Sequence, residues 1–213
     1  MPKRALIEHR PFLLSAIALA LAYFLLRDSA LGGVWLMLLK GAGVACLALY
    51  AFLRYHGVDA RWLGFALVCF ALGDAAGQVW PYPALLLAFL GMVLYLGLFL
   101  RNPRRNPASS QKGAAVALLV MTPLLFWLLS GGNMQAAIYG LTLGAMAGAA
   151  WMSRFPRYRV GTGAVLIVAA GLLGAASMSA GVLAWWLGWP LYFIGQFLIC
   201  TGTIQQLKRE HRA

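Results

Sequence analysis

Apolar residues fill this chain in long, nearly unbroken runs, and its polar residues gather in short clusters between them. A helix that crosses a bilayer needs about 20 mostly apolar residues. On that measure the pattern predicts eight spans, approximately Phe12–Leu26, Gly33–Leu53, Trp62–Trp80, Pro83–Leu100, Ala114–Ser130, Met134–Met152, Ala164–Gly181 and Val182–Ile204. Trp80-Pro81-Tyr82-Pro83 reads as a tight turn at the membrane surface between the third and fourth spans. Gly131-Gly132-Asn133 separates the fifth from the sixth, and the seventh runs into the eighth near Ala180–Ala184.

The basic residues test this division independently. Lys3, Arg4 and Arg10 precede the first span, and Arg54 and Arg61 follow the second. Arg101, Arg104, Arg105 and Lys112 follow the fourth, Arg154, Arg157 and Arg159 the sixth, and Lys208, Arg209 and Arg212 the eighth. Fifteen of the 17 therefore fall on one side of an even-numbered topology, with Arg27 opposite and Lys40 inside a span. The bias predicts both termini in the cytoplasm. Trp35, Trp80, Trp185 and Trp186 then mark the outer interface, and Trp62 and Trp151 the inner one.

Composition narrows the class. Of 213 residues, 62% are apolar and 10% charged, with a formal net charge of +12. So few charges cannot cover a water-soluble surface, and disorder needs low hydrophobicity. The basic excess sits between apolar runs, where it sets topology and meets anionic headgroups, so nucleic-acid binding is not expected. Cys46, Cys69 and Cys200 are an odd, widely spaced set inside apolar runs, with neither metal-site nor disulfide spacing. The leader has the basic start and apolar core of a signal peptide, but Arg27-Asp28 stands where small residues should precede cleavage. The longest loop, Arg101–Gly113, holds about 13 residues. The expectation is an all-α polytopic bundle, a single transmembrane domain over 1–213, in the plasma or inner membrane.

Two charges interrupt predicted spans: Lys40 in the second and Asp74 in the third. A charge near mid-membrane costs about 2.5–3.5 kcal/mol even on the lenient insertion scale, so it faces the bundle interior and finds a partner. At 1.5 Å per residue, Lys40 lies about 10 Å and Asp74 about 9 Å below the outer boundary of their spans, with Tyr139 of the sixth span about 8 Å down. Cation, anion and phenol thus share a level. They form either a polar site open to the outer leaflet or outer water, or a self-neutralising pair that fixes packing, with Tyr139 at the interface.

Other signals are weaker. Gln196, midway along the eighth span, suits interhelical hydrogen bonding or substrate contact. Asp28, Ser130 and Asn133 sit at span ends, while Ser177, Ser179 and Gly144–Gly148 read as close-packing residues. No Ser stands in a Gly-x-Ser-x-Gly setting and no Gly-rich phosphate loop occurs. His9, His56 and His211 all lie in polar segments, so an intramembrane metal site has no imidazole, and no metal or cofactor is expected.

Several of these features resemble the lysoplasmalogenase family, the YhhN-type eight-span membrane proteins. The family's second-span Lys, usually Lys-Pro, is similar to Leu39-Lys40-Gly41, and its third-span Gly-Asp to Ala71-Leu72-Gly73-Asp74. Its sixth-span Tyr followed by Met resembles Tyr139 and Met146. Its closing Tyr-x-x-x-Gln resembles Tyr192-Phe193-Ile194-Gly195-Gln196, and the match runs from Val34 to Gly202. The resemblance implies a hydrolase that cleaves the vinyl ether of lysoplasmalogens to a fatty aldehyde and a glycerophospho-alcohol. Asp74 and Lys40 would carry the chemistry, and Tyr139 and Gln196 would hold the substrate's polar linkage. Vinyl ethers hydrolyse by proton transfer to carbon, giving an oxocarbenium ion that water captures. The reaction needs a proton donor and a group that stabilises the cation or activates water.

The chain departs from the family at two places. Val168-Ala169-Ala170-Gly171-Leu172 stands where the family carries a seventh-span Ser-Asp pair, and Met92-Val93 where it carries a fourth-span His. An Asp74 held ionised by Lys40 could stabilise the cation but not donate the first proton; Lys40, Tyr139 or another group would donate. Two alternatives remain: a catalytically divergent lipid-binding or lipid-moving protein of the same family, and a small transporter using Lys40 and Asp74 as a charge relay. Pro123 and Pro190, the interior prolines, do not decide the transporter question. The expected partners are a lysophospholipid and membrane lipids. Gly64–Gly73 and Gly163–Gly171 are both Gly-bounded apolar runs, which hints at a duplicated four-helix unit.

Overall fold

A computed structural model describes residues 10–29, 33–77, 79–176 and 181–212. Their regular structure is helical: α1 (Arg10–Leu26), α2 (Val34–Arg54), α3 (Val58–Ala76), α4 (Pro81–Arg101), α5 (Ser109–Leu129), α6 (Met134–Met152), α7 (Thr162–Ala175) and α8 (Gly181–Arg212). A π-helical turn, Arg157–Gly161, leads into α7. Among the described residues five segments are long and apolar enough to cross a membrane: Val34–Arg54, Pro81–Arg101, Ser109–Leu129, Arg157–Ala175 and Gly181–His211. That fits an integral membrane protein. Of the other three helices, α1 has 17 residues, α3 carries Asp59, Arg61 and Asp74, and α6 is rich in weakly hydrophobic Gly and Ala. The count of eight spans and the side of the termini rest on the pattern of basic residues.

The sixth predicted span coincides with α6, and the second with α2 to within a residue. The third moves: α3 starts at Val58 and ends at Ala76, not Trp62–Trp80. A window of apolar residues excludes Asp59 and Arg61, but Asp59 in a first helical turn meets the positive end of the helix dipole and favours the earlier start. Trp80-Pro81-Tyr82-Pro83 is not a turn. The Trp80 carbonyl accepts from Ala84 N at 3.1 Å, closing the first turn of α4. Both prolines sit in that turn, where their missing N–H groups would have no helical partner anyway. Helix α8, at 32 residues, runs past Ile204 to Arg212, about 48 Å against a hydrocarbon core of about 30 Å. Lys3, Arg4, His9, Ser177, Ser179 and the Ala180 end of the last boundary lie outside the described residues.

The chain groups into two compact units, Met1–Leu94 and Tyr95–Ala213. In the first, α1 packs on α2 and α2 on α3. The inward faces are built from small and branched residues: Ala16 and Ala20 of α1, Val44, Leu47 and Ala48 of α2, Leu63, Ala66 and Leu67 of α3. Large side chains such as Phe65 and Leu72 point outward. Bilayer helices follow this logic, because lipid is as apolar as Leu and close approach of backbones provides the association energy.

In the second unit α5 pairs with α6 and α7 with α8. The α5–α6 hairpin turns through Gly131 (φ 70°) and Gly132 (φ 87°), left-handed conformations that favour glycine. Asn133 then caps α6, its Oδ1 accepting from Gln135 N at 2.8 Å and Ala136 N at 3.3 Å. Residues 102–104, after α4, are stitched to 152–155, at and after the end of α6. Arg104 N donates to Met152 O at 3.0 Å and Arg154 N to Asn102 O at 2.9 Å.

Candidate functional site

Lys40 and Asp74, alike in predicted depth, meet in the first unit. Lys40 Nζ lies 4.0 Å from Asp74 Oδ1, with the side chains 26% and 15% exposed. Backbone geometry explains the meeting. A Cβ on Gly41 would stand 2.5 Å from the Ala71 carbonyl oxygen and 3.0 Å from Ala75 Cβ, so the glycine lets α2 lie against α3 beside the pair. On its other flank, a Cβ on Gly73 would lie 3.0 Å from Ala84 O, so α4 also approaches closely. Because α3 ends at Ala76, Asp74 occupies its last turn rather than a point about 9 Å below the end. Unpaired carbonyls make that end of a helix negative, and the Lys40 ammonium offsets both them and the carboxylate.

Two residues at the end of α1, Tyr23 within it and Arg27 just after it, which sequence reasoning did not place in the site, join the pair. Tyr23, 9% exposed, lies within electrostatic reach of Asp74, Arg27 and Asp28. The Arg27 side chain is 5% exposed, with Nε 3.8 Å from Asp28 Oδ2 and its guanidinium carbon 4.4 Å from the Phe24 ring centroid. The signal was present in the spacing. Ala16, Ala20, Tyr23 and Arg27 fall on one helical face, and the first two are buried. The C-terminal ends of α1 and α3 and the N-terminal half of α2 thus bring together a phenol, two cations and two carboxylates.

The other two site candidates lie in the second unit. Tyr139, half-buried in α6, has its ring 5.8 Å from that of Phe126. Gln196 is fully buried, and its Oε1 accepts from Tyr95 Oη at 2.7 Å. Gln196 Nε2 is buried without a hydrogen-bond partner. Tyr95 went unnoticed in the sequence although it is a buried hydroxyl in an otherwise apolar stretch of α4; a polar group there needs a partner, and Gln196 supplies it. Met146 is fully buried among α6 packing residues.

The profile of the YhhN family matches residues 35–203. The chain belongs to the YhhN family. That family includes lysoplasmalogenases. No curated protein and no solved structure matches the chain. Lys40, Asp74, Tyr139 and Gln196 all lie within the matched YhhN segment, whereas Tyr23 and Arg27 precede it.

The two apolar stretches at Val168–Leu172 and Met92–Val93 have apolar surroundings. Val168 and Leu172 line an apolar cavity of about 380 Å³, with Leu118, Met121, Thr122 and Leu125 of α5 around them. A Cβ on Gly171 would lie 2.9 Å from the Phe126 ring and 3.0 Å from Leu143. Hydrocarbon therefore surrounds Val168–Leu172. Met92 of α4 is fully buried.

Proposed function

We propose that this protein is a lysoplasmalogenase-like membrane hydrolase, which adds water across the vinyl-ether bond of a lysoplasmalogen-type lysophospholipid. The observation that carries the reading is the largely buried Lys40–Asp74 pair, 4.0 Å apart within the segment that defines family membership. In this scheme the Lys40 ammonium donates a proton to the vinyl carbon remote from oxygen, the one that bears the alkyl chain, and the π electrons of the double bond form the new C–H bond. The carbon attached to oxygen becomes an oxocarbenium centre, which the Asp74 carboxylate stabilises. Water adds to that carbon and returns its proton to the Lys40 amine. The resulting hemiacetal breaks its C–O bond, passing its hydroxyl proton to the departing glycerol oxygen. The products are a fatty aldehyde and a glycerophospho-alcohol, and both side chains return to their starting state.

The scheme uses one carboxylate, in keeping with the apolar surroundings of Val168–Leu172. Tyr23 and Arg27 add a hydroxyl and a cation at the same end of the unit, suited to the polar half of a lysophospholipid. Tyr139 and Gln196 belong to the second unit and take no part in this scheme.

The test is aldehyde release from a lysoplasmalogen by purified protein, beside Asp74→Asn. Removing the charge that faces a developing cation should cost at least ~100-fold in kcat. The variant should retain parental helicity and elute as the parent does. Full activity in Asp74→Asn would sink the assignment. The apolar α7 stretch favours a second reading, a lipid-binding relative without turnover. Saturable lysolipid binding with no aldehyde from the parent would select it.

A further inference from the structure

The second unit holds a larger groove, about 560 Å³, at the Arg-rich end of α4, α5 and α6. Its volume is within the range of about 300–1,000 Å³ typical of small-molecule sites. Leu100 of α4 and Val116 and Leu119 of α5 form its walls, and the small side chains of Ala145 and Ala149 form its floor on α6. A Cβ on Gly148 would lie 3.0 Å from Ala115 O, so the α5 and α6 backbones nearly touch there. From Ala145 to Met152 the trough runs about 10 Å along α6.

One charged side chain lines it. Arg104 is half-buried, its Nε donating to Ser153 O and one terminal nitrogen to Phe155 O, both at 3.2 Å. Those neutral carbonyls hold the guanidinium still, and among the described residues no carboxylate pairs with it. The sequence supplies no nearby remedy, since no Asp or Glu occurs between residues 75 and 209. Glu210, at the C-terminal end of α8, is already engaged: one oxygen lies 2.9 Å from Arg154 and the other accepts from Gln206 at 3.0 Å. An apolar trough ending at a fixed arginine is complementary to a chain-bearing anion.

We infer that this groove binds one anionic glycerophospholipid, an acyl chain lying over Ala145 and Ala149 and the phosphate accepting from Arg104. The site is independent of the hydrolase reading, because it uses none of Tyr23, Arg27, Lys40 or Asp74, and loss of either leaves the other standing.

The experiment is native mass spectrometry of the full chain, released from detergent micelles doped with phosphatidylglycerol or with phosphatidylcholine of the same acyl chains. The parent should retain one phosphatidylglycerol per chain, favoured roughly fivefold over phosphatidylcholine, as expected for one interfacial arginine. Arg104→Gln should bring that preference close to parity, and Arg54→Gln, which removes the same charge from the first unit, should leave it unchanged. Ala149→Leu fills the floor without touching Arg104 and should lower retention of both lipids, so it decides the matter even if Arg104→Gln fails to fold. Equal retention of the two lipids by the parent would overturn the proposal, as would an unaltered preference in Arg104→Gln. Displacement of the lipid by soluble glycerol phosphate would also overturn it, since the chain would then contribute nothing. So would a change of oligomeric state in Ala149→Leu with lipid retention intact, which would make a second copy the occupant.

Discussion

Gly41→Ala adds one carbon, and the structure says where that carbon goes. It would sit 2.5 Å from the Ala71 carbonyl oxygen and 3.0 Å from Ala75 Cβ, whereas ordinary contact begins at 3.4 Å. The closest partner is backbone and cannot swing aside, so α2 must retreat from α3 by about 0.9 Å. Overpacking of this kind costs about 1–3 kcal/mol. The displacement acts directly on the neighbouring ion pair, because Lys40 precedes Gly41 and Asp74 lies between Ala71 and Ala75 on α3. Lengthening a 4.0 Å separation by the same amount weakens the attraction by roughly a fifth at any fixed dielectric. Gly188→Ala in α8 is the control: nothing lies within 4 Å of the position, and Ala in place of a helical Gly should stabilise by about 0.5–1 kcal/mol. Reversible unfolding in mixed micelles gives both stabilities, and aldehyde release gives the effect on the pair. If Gly41→Ala proved as stable as the parent, α2 and α3 could not meet at Ala71 as described.

Three further outcomes follow from other contacts. Tyr95→Phe strips the fully buried Gln196 amide of its hydrogen bond and should cost about 1–3 kcal/mol in the same unfolding assay; Tyr95→Phe with Gln196→Leu should cost less than the two changes summed. The Arg154–Glu210 pair, 2.9 Å apart but 39% and 34% exposed, should contribute less than ~1 kcal/mol. Its coupling in a double-mutant cycle should fade with added salt. Cysteines introduced at Ser29 and Ser110 in a chain with its native thiols replaced should react with an impermeant maleimide from opposite faces of the membrane, the Ser29 site from outside. Labelling of both from one face would refute the even-numbered topology.

What the sequence determined alone was the set of helices and the identity of the residues that do not belong in a bilayer. Met134–Met152 could be read without error because Asn133 caps one end and Arg154 follows the other; the third span could not, because an apolar window rejects the Asp59 that a helix N-terminus welcomes. Lys40 and Asp74 declared themselves by cost, since a charge among apolar residues must have a reason. Which faces meet was a different matter. In a soluble helix the buried side is written as a stripe of apolar residues, but lipid is as apolar as a protein core, so the outward Phe65 and the inward Leu67 look equally hydrophobic in α3. Only the packing of backbones decided that Gly41 brings Lys40 to Asp74, that the end of α1 and the residue after it add Tyr23 and Arg27, and that Tyr95 and Gln196 share a hydrogen bond across 101 residues of chain. Those contacts depend on the distance between helices, and local periodicity carries no record of distance.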